Sequence, residues 1–596
     1  MSSKRHKDKK IKSFKDPVYG YIEIPSDLVG DIIDTEAFQR LRRIVQTSYE
    51  PLYPSATHNR FVHSLGVYHL GDIVADVIKM KSFPTLGTRM GKFTNKYKRY
   101  LEVFRLACLL HDVGHAPFSH TGEGFFITKD EKGKSTKLHR RVARLCGDKS
   151  FSKEIDKREQ SAAPHELMSA IVALATFGDR FKTDNEKTFF ARAITGYPYA
   201  LGKATRDHVD SSFLNCLIKL LNSSVIDVDR LDYLIRDAIE TGFKTVTIDY
   251  QRLLGGIRIR NVNDKCEVVF TKQSVSVLEN VVFAHDSVKK WVQNHPAIAY
   301  EMKTLKEAFA SVNNHFAANL PGKSIFCEAA LTGKGVTPKR CQKSIKVRYL
   351  CDDDIVFLMK NLHDEASHSF FCRKDRYIPL WKSEAEFCAL FHKKTWGNDL
   401  PRLKVLFDAF MGFLRRYDIS EINNDARKKL HDELKKARNG VRQISKDSTA
   451  SLDKVVFAGK RELFCGFADV LQQFAKDVGI PFKFRMLDAK VFKSGFETDN
   501  LSQITIELGT SKEDIVKFGD ITRVLGGRPD NSDLPKNIYY VFAKDLGRDK
   551  EKQAHILVNS VKRFIRNNSG KIDRFFVVNK EKPSSPPERE ALQAEH

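Results

Sequence analysis

None of the ten cysteines is spaced from another as C-x-x-C, so zinc-ribbon spacing is missing, and scattered free thiols fit a reducing compartment. No apolar run approaches the length that crosses a bilayer. The basic N-terminal stretch MSSKRHKDKKIK has no apolar segment behind it and does not read as a secretory signal. A Gly-rich phosphate-binding loop is missing too, which leaves any phosphate to side chains rather than to a backbone cradle. These absences set aside disulfide scaffolds, membrane spans and Walker-type nucleotide sites. They make the cytoplasm the expected location, with no membrane partner.

Acid is also in short supply: 75 Asp and Glu face 100 Lys and Arg, a net charge of +25. Such an excess favours polyanions, either single-stranded nucleic acid or the phosphates of nucleotides. The 596 residues suffice for two or three domains, and 41% hydrophobic with 29% charged residues is a globular composition. Helical periodicity dominates, so the expected fold class is mainly α, a helical core with a smaller mixed α+β C-terminal region. The expected divisions are a disordered basic tail over 1–11, the core over 12–335, a helical and α+β region over 336–580 for oligomerisation or regulation, and a disordered tail over 581–596. The charged stretch 129–162 reads as an exposed insertion. The runs QITIEL, IYYVFA and FFVV read as strands of one small unit within 500–580.

The chemistry gathers in LACLLHDVGHAPFSH, Leu106 to His120. Val103, Leu106, Ala107 and Leu110 fit one face of a helix that ends at the doublet His111-Asp112, with a turn following at Gly114. A neutral imidazole beside a carboxylate at a helix end makes half of a divalent-metal site. Two further elements supply the rest: His63 in HNRFVHSLGV and Asp229 in the acidic-apolar helix DVDRLDYLIRD. Two histidines and two carboxylates from three helices suit manganese, iron, magnesium or zinc better than a thiolate-preferring metal. A second set follows: His115, His120 and His165, the last beside Glu166. Taken singly, each histidine is more often structural; the argument rests on their joint order.

That order, H…HD…D, resembles the HD-domain phosphohydrolases. The local words resemble one branch of them, the deoxynucleoside triphosphate (dNTP) triphosphohydrolases or dGTPases, which includes enzymes joining a sterile-alpha-motif domain to the HD domain. The words are DPVYGYIEI, IDTEAFQRLRRIVQ, HNRFVHSLGV, LLHDVGHAPFSH, the His165-Glu166 pair and DVDRLDYLIRD, in order over about residues 12 to 300. No sterile-alpha-motif segment is read ahead of them.

The resemblance implies metal-dependent hydrolysis of dNTPs to deoxynucleoside and inorganic triphosphate, in dNTP pool control or defence. It implies His63, His111, Asp112 and Asp229 as metal ligands and His120 as proton donor to the leaving sugar oxygen. His115, His165 and Glu166 would line the catalytic pocket, and Arg60 and Arg230 would grip the triphosphate. Tyr233 and Asp237 would hold the deoxyribose, with Gln46 near its 3′-hydroxyl. Lys12, Asp34, Gln39, Arg42 and Arg258 match positions that bind activating GTP or dGTP between subunits of a dimer or tetramer. Mutual pairing of charges is the competing reading of those five.

The sequence departs from the family in places. Gln293-Asn294-His295 stands where a Tyr-Gln pair is usual, His285 replaces an arginine, and Thr47 replaces a leucine. Base preference therefore does not carry over. Two other readings stay open. One is an HD-type phosphohydrolase or nuclease acting on a nucleoside monophosphate, a cyclic dinucleotide or single-stranded nucleic acid. The other is a catalytically inactive nucleotide or nucleic-acid binder.

Overall fold

Asn59 begins the central helix α1, Arg60–Val77, its side chain accepting from the amide of Val62 at 3.3 Å. In the computed structural model, residues 10–577 are described except 49, 84–85, 87–94, 127–137, 148–150, 152–153, 155–161, 202–205, 224–225, 244–246, 263–264, 340–345, 375, 443–447, 491–502, 510–513, 523–536 and 548. Helix α1 is apolar nearly all round and is correspondingly buried nearly all round. By length and composition Arg60–Ser82 would suit a bilayer, against the expectation that no run does. Its window is 67% buried within the protein, which makes it a core helix.

Glycine lets the neighbours of α1 come close. A Cβ on Gly71 would lie 2.5 Å from Cys108 Sγ on α2, Asn95–Leu110. Helices α3 (Pro164–Phe177), α4 (Asp184–Thr195) and α5 (Arg206–Leu221) complete the wall behind α2. The last partner is α6, Val228–Glu240. There a Cβ on Gly66 would sit 1.9 Å from Asp232 Oδ1 and 2.5 Å from Arg236 Nη2.

Gly66→Ala should therefore cost about 1–3 kcal/mol by overpacking, more than the roughly 1 kcal/mol that alanine gains in a helix. A lowered melting temperature together with lost metal would show it; wild-type values for both would refute it.

Strands β1 (Ile11–Asp16) and β2 (Gly20–Pro25) form an antiparallel hairpin. Strands β3 (Ile257–Val262) and β4 (Lys265–Thr271) form another, and β4 continues parallel to the strand Thr505–Glu507, with Phe270 opposite Ile506. That strand pairs antiparallel with Ile515–Lys517. Helices α7 (Val275–Val288), α8 (Pro296–Phe316) and α9 (Asp352–Lys360) close this unit.

The chain divides into two compact units, Met1–Phe371 with Phe492–Arg528, and Cys372–Val491 with Pro529–His596. The expected boundary at 335/336 is thus displaced to Phe371. QITIEL does not belong to a small C-terminal unit, because its backbone extends the sheet begun by β3 and β4. In the second unit, helices α10 (Asp399–Arg416), α11 (Asn424–Arg442), α12 (Ser448–Val478) and α13 (Lys550–Asn567) accompany a small sheet. Its strands are β5 (Ile378–Pro379), β6 (Phe484–Lys490) and β7 (Asn537–Ala543), with β7 in the middle.

FFVV is not a strand: Asp573–Val577 is a π-helical turn, and the ring of Phe575 lies against Gly459 of α12. Of the expected tails, 1–9 and 581–596 lie outside the described residues, while Ile11 already belongs to β1. Much of the stretch 129–162 also lies outside them. Its described part includes a helix, Leu138–Cys146, whose Val142 and Cys146 are buried one turn apart, so it is not wholly exposed.

Candidate active site

Three helices bring the metal candidates together. Helix α2 ends at Leu110, and the next residues turn, with His115 N donating to Asp112 O at 3.0 Å. Gly114 makes this turn possible, since a Cβ there would lie 2.4 Å from the backbone of Met168 and Ser169. Helix α1 presents His63 in its first turns. Helix α6 presents Asp229 in its first turn, capped by Asp227, whose Oδ1 accepts from Arg230 N at 2.7 Å.

His63 Nε2 lies 3.0 Å from Asp229 Oδ1, 3.2 Å from His111 Nε2 and 3.6 Å from Asp112 Oδ2. His111 Nε2 lies 3.5 Å from Asp112 Oδ2 and 3.6 Å from Asp229 Oδ1. Such edges are those of ligands about 2.0–2.2 Å from a shared centre. The tautomers suit the same end. His63 Nδ1 bonds Asp232 Oδ2 at 2.7 Å and His111 Nδ1 donates to Cys108 O at 3.0 Å, which leaves both Nε2 atoms facing inward. Two imidazole lone pairs 3.2 Å apart with two carboxylates beside them fit a divalent cation.

Burial alone would lower the His63 pKa, but Asp229 and Asp232 outweigh it and raise the value to about 9. Burial pushes Asp112 upward, yet Arg60, His111 and His63 hold it well below the usual carboxylate range. Asp229 is likewise held low by His111 and His63 against burial. A proton thus occupies the metal-free quartet at neutral pH. His63 has its pKa raised on folding, so its stabilising contribution to the metal-free fold is full below about pH 6.5 and disappears as pH climbs past about 9. Metal uptake must expel that proton. Affinity should accordingly rise about tenfold per pH unit between pH 6.5 and 8.5, read by chelator competition with proton release followed calorimetrically. An affinity flat in pH would place the proton elsewhere.

A cavity of about 500 Å³ opens on this quartet, lined by Asp112 and Asp229 among others. Gln46, Arg60, His120, His165, Glu166, Arg230, Tyr233 and Asp237 all line it too. Arg60 is buried and already committed: Nη1 donates to Asp112 Oδ2 at 2.6 Å, Nε to Ser119 Oγ at 2.9 Å and Nη2 to Gln46 O at 3.2 Å. Asp237 bonds His58 Nε2 at 2.8 Å. Glu166 caps its own helix, accepting from Ala163 N at 2.8 Å, and also accepts from Asn222 Nδ2 at 2.8 Å. Gln293, Ile298 and Met302 also line the cavity.

His115 lies behind the cavity, stacked on His165 with ring centroids 4.6 Å apart. Neither of its ring nitrogens meets a hydrogen-bond partner among the described residues. Burial first, then Arg60 and His165, lowers its pKa well below the ordinary value. Glu123 ties the other two histidines together, bonding His120 Nδ1 at 2.8 Å and His165 Nδ1 at 2.6 Å.

Of the expected activator residues, Lys12 and Asp34 form an exposed pair at 3.7 Å. Gln39 Nε2 donates to Ile33 O at 2.7 Å, and Arg42 Nε donates to Gln39 Oε1 at 2.9 Å. Asp34 also acts on Arg42, so these four share one surface. Arg258 instead donates to the carbonyls of Gly255 and Ile257.

Several site residues escaped the sequence reading. Asp232 and Arg236 stand one and two turns beyond Asp229 on α6; Arg236 bonds Asp232 through Nε and Nη2, both at 3.0 Å, and Asp16 Oδ2 at 2.9 Å. Tyr19 donates to Asp232 Oδ1 at 2.8 Å, so the hairpin word DPVYG supports His63 from behind. The i, i+3, i+7 spacing of Asp229, Asp232 and Arg236 was the available signal. For Glu123 it was the i, i+3 spacing from His120.

Residues 60–181 match the HD domain family model, a segment holding His63, His111, Asp112 and the three further histidines. The chain is 31% identical over 290 residues to the deoxynucleoside triphosphate triphosphohydrolase SAMHD1 homolog of Dictyostelium discoideum, covering 48% of this chain and 46% of that protein. It is 27% identical over 320 residues to deoxynucleoside triphosphate triphosphohydrolase SAMHD1 of Danio rerio, covering 51% and 46%. With the uncharacterized protein YwfO of Bacillus subtilis it shares 29% over 289 residues, covering 48% and 52%. The chain spans about half the length of the curated relatives it matches. A solved hypothetical protein from Aquifex aeolicus aligns with a TM-score of 0.48 and 17% identity over 92% of this chain and 100% of that one. The chain therefore carries an HD domain, the mainly helical, metal-binding kind that its motifs led one to expect. Among HD-domain proteins it resembles the dNTPase-like ones.

Proposed function

We propose that this chain hydrolyses deoxynucleoside triphosphates to deoxynucleoside and inorganic triphosphate, using manganese, iron, magnesium or zinc held by His63, His111, Asp112 and Asp229. One observation carries the reading. The donor quartet opens onto a cavity that has a carboxylate-tethered histidine pair, an arginine and a half-buried tyrosine on its other walls. Its volume of about 500 Å³ is that of a small-molecule site.

When bound, the metal supplies polarisation of a phosphate oxygen and a lowered pKa for water. Water attacks the α-phosphorus, the bond from phosphorus to the 5′-oxygen breaks, and His120 gives that oxygen its proton from Nε2. Glu123 fixes the ring by holding Nδ1. Arg230 neutralises phosphate charge, while Arg60 sets the charge of Asp112. Tyr233 offers a face to stack beneath the sugar and so disfavour a 2′-hydroxyl, and Asp237, oriented by His58, accepts from a sugar hydroxyl. The surface with Lys12, Asp34, Gln39 and Arg42 would take a GTP or dGTP activator in a dimer or tetramer. We place the protein in the cytoplasm, in dNTP pool control or defence.

A second reading has its own support. A larger hollow of about 820 Å³ shares Glu166, Asn222 and Ser223 with the first and carries Lys219 and Lys517. A phosphate ester longer than a nucleotide, such as single-stranded nucleic acid, would use both.

The test is a product assay with manganese on each dNTP alone, on their mixture and on GTP. Deoxynucleoside with intact triphosphate supports the reading, and activity only in mixtures supports the activator site. Orthophosphate release or degradation of an oligonucleotide moves the assignment to the second reading.

A further inference from the structure

We infer that Asp352, at the start of α9, is a positioning residue that clamps together the two loops carrying Gln46 and His120. The inference rests on the roles proposed for those two residues. Asp352 is 7% exposed and lies outside the HD-domain match. Its Oδ2 accepts from Val45 N at 2.8 Å and its Oδ1 from Phe118 N at 2.6 Å. Each of those amides lies just ahead of a part of the site: Val45 adjoins Gln46, and Phe118 leads through Ser119 to His120.

The second loop needs the support. Phe118 and Ser119 have φ of 53° and 54°, a left-handed backbone that residues other than glycine adopt only when their surroundings impose it. A second stitch joins the same loops, since the Ser119 hydroxyl donates to Val45 O while accepting from Arg60 Nε at 2.9 Å. Arg40 lies buried beneath and fixes the approach to α9. It donates through Nε to Leu350 O at 2.7 Å, through Nη1 to Val113 O at 3.0 Å and through Nη2 to His115 O.

A carboxylate has an oxygen for each of the two amides. An amide side chain has one, and turns its own N–H₂ on the other backbone N–H. The carboxylate is held at a cost to folding. Burial raises the Asp352 pKa to about 7, against the Val45 and Phe118 amides and then Arg40, which pull it down. Because the folded value lies above the ordinary 3.8, ionised Asp352 weighs against the fold increasingly as pH rises from about 4 to about 7. A merely structural residue would not be expected to carry that cost, and its replacement by Asn would lower stability.

Asp352→Asn and Asp352→Glu in the full chain test this. For Asp352→Asn, amide hydrogen exchange should rise at 44–47 and 118–120, with bound metal unchanged and the melting temperature equal or higher. Its kcat should fall about 10- to 100-fold, the scale of a small misplacement of catalytic groups, with KM moving less than about twofold. Asp352→Glu keeps both acceptors one methylene away and should lose less. Wild-type kcat in both variants overturns the inference, as does an insoluble Asn variant or one that loses metal. If the wild-type protein turns over another phosphate ester, the substrate reading fails alone; exchange and kcat compared on that ester still decide the clamp.

Discussion

Asp229→Ala should empty the metal centre and abolish turnover in one step, and His63→Ala should do the same. Asp229 closes the quartet from α6, with Oδ1 3.0 Å from His63 Nε2 and 3.6 Å from His111 Nε2. Its side chain is 41% exposed toward the cavity, and Asp227, not Asp229, caps the helix, so alanine leaves the helix start and the core in place. The loss is then chemical. Three donors remain, two of them imidazoles 3.2 Å apart, with only Asp112 to balance the cation while Arg60 competes for that carboxylate. Turnover should fall by at least about two to three orders of magnitude, the scale of removing a principal electrostatic stabiliser. Asp232→Asn should weaken metal affinity by only about 10- to 100-fold, because it orients His63 without touching the ion. Metal content by plasma mass spectrometry and single-turnover rates, measured on the same preparations, decide the matter. Metal and turnover retained in Asp229→Ala would show that another carboxylate completes the site.

The quartet was legible because its residues sit in short sequence words whose local structure is dictated nearby. His111-Asp112 ends an apolar helix, and His63 and Asp229 fall in the first turns of helices opened by Asn59 and Asp227. What the words did not give was the support behind them. Tyr19 bonds Asp232 and Asp16 bonds Arg236, from a hairpin more than 200 residues before α6, a closeness only the fold creates. Asp352 is further still from the loops it holds, at separations of 307 and 234 residues. The C-terminal half misled for the same reason. QITIEL alternates as a strand should, yet nothing local says that it joins β4 rather than a neighbour in sequence. FFVV has strand propensity, but tertiary packing overrides it: Asp573–Val577 turns as a π-helix and sets Phe575 against Gly459.

His120→Ala should leave the metal and the fold intact and still cost about two to four orders of magnitude in turnover, the range for a positioned acid. His120 is 56% exposed, at the first position of the short helix His120–Glu123, so alanine removes no core packing. It has no bond to the quartet; its ring neighbours are His115 and His165, with centroids 5.2 and 5.1 Å away. Its proton is governed by Glu123. The protein around His120 lowers its pKa by desolvation despite the help of Glu123, whereas for His165 the same carboxylate overcomes desolvation and raises the value. The surroundings thus favour the acid form on His165 over His120, and the donor role proposed for His120 calls on the negative charge of a bound phosphate ester to favour its protonation. Glu123→Gln removes the group that raises both histidines. Their acid forms should then disappear at lower pH, moving the alkaline limb of the kcat profile toward acid while bound metal is unchanged. His120→Ala with turnover within about tenfold of wild type would assign the proton donor to His165 instead, and His165→Ala would then carry the larger loss.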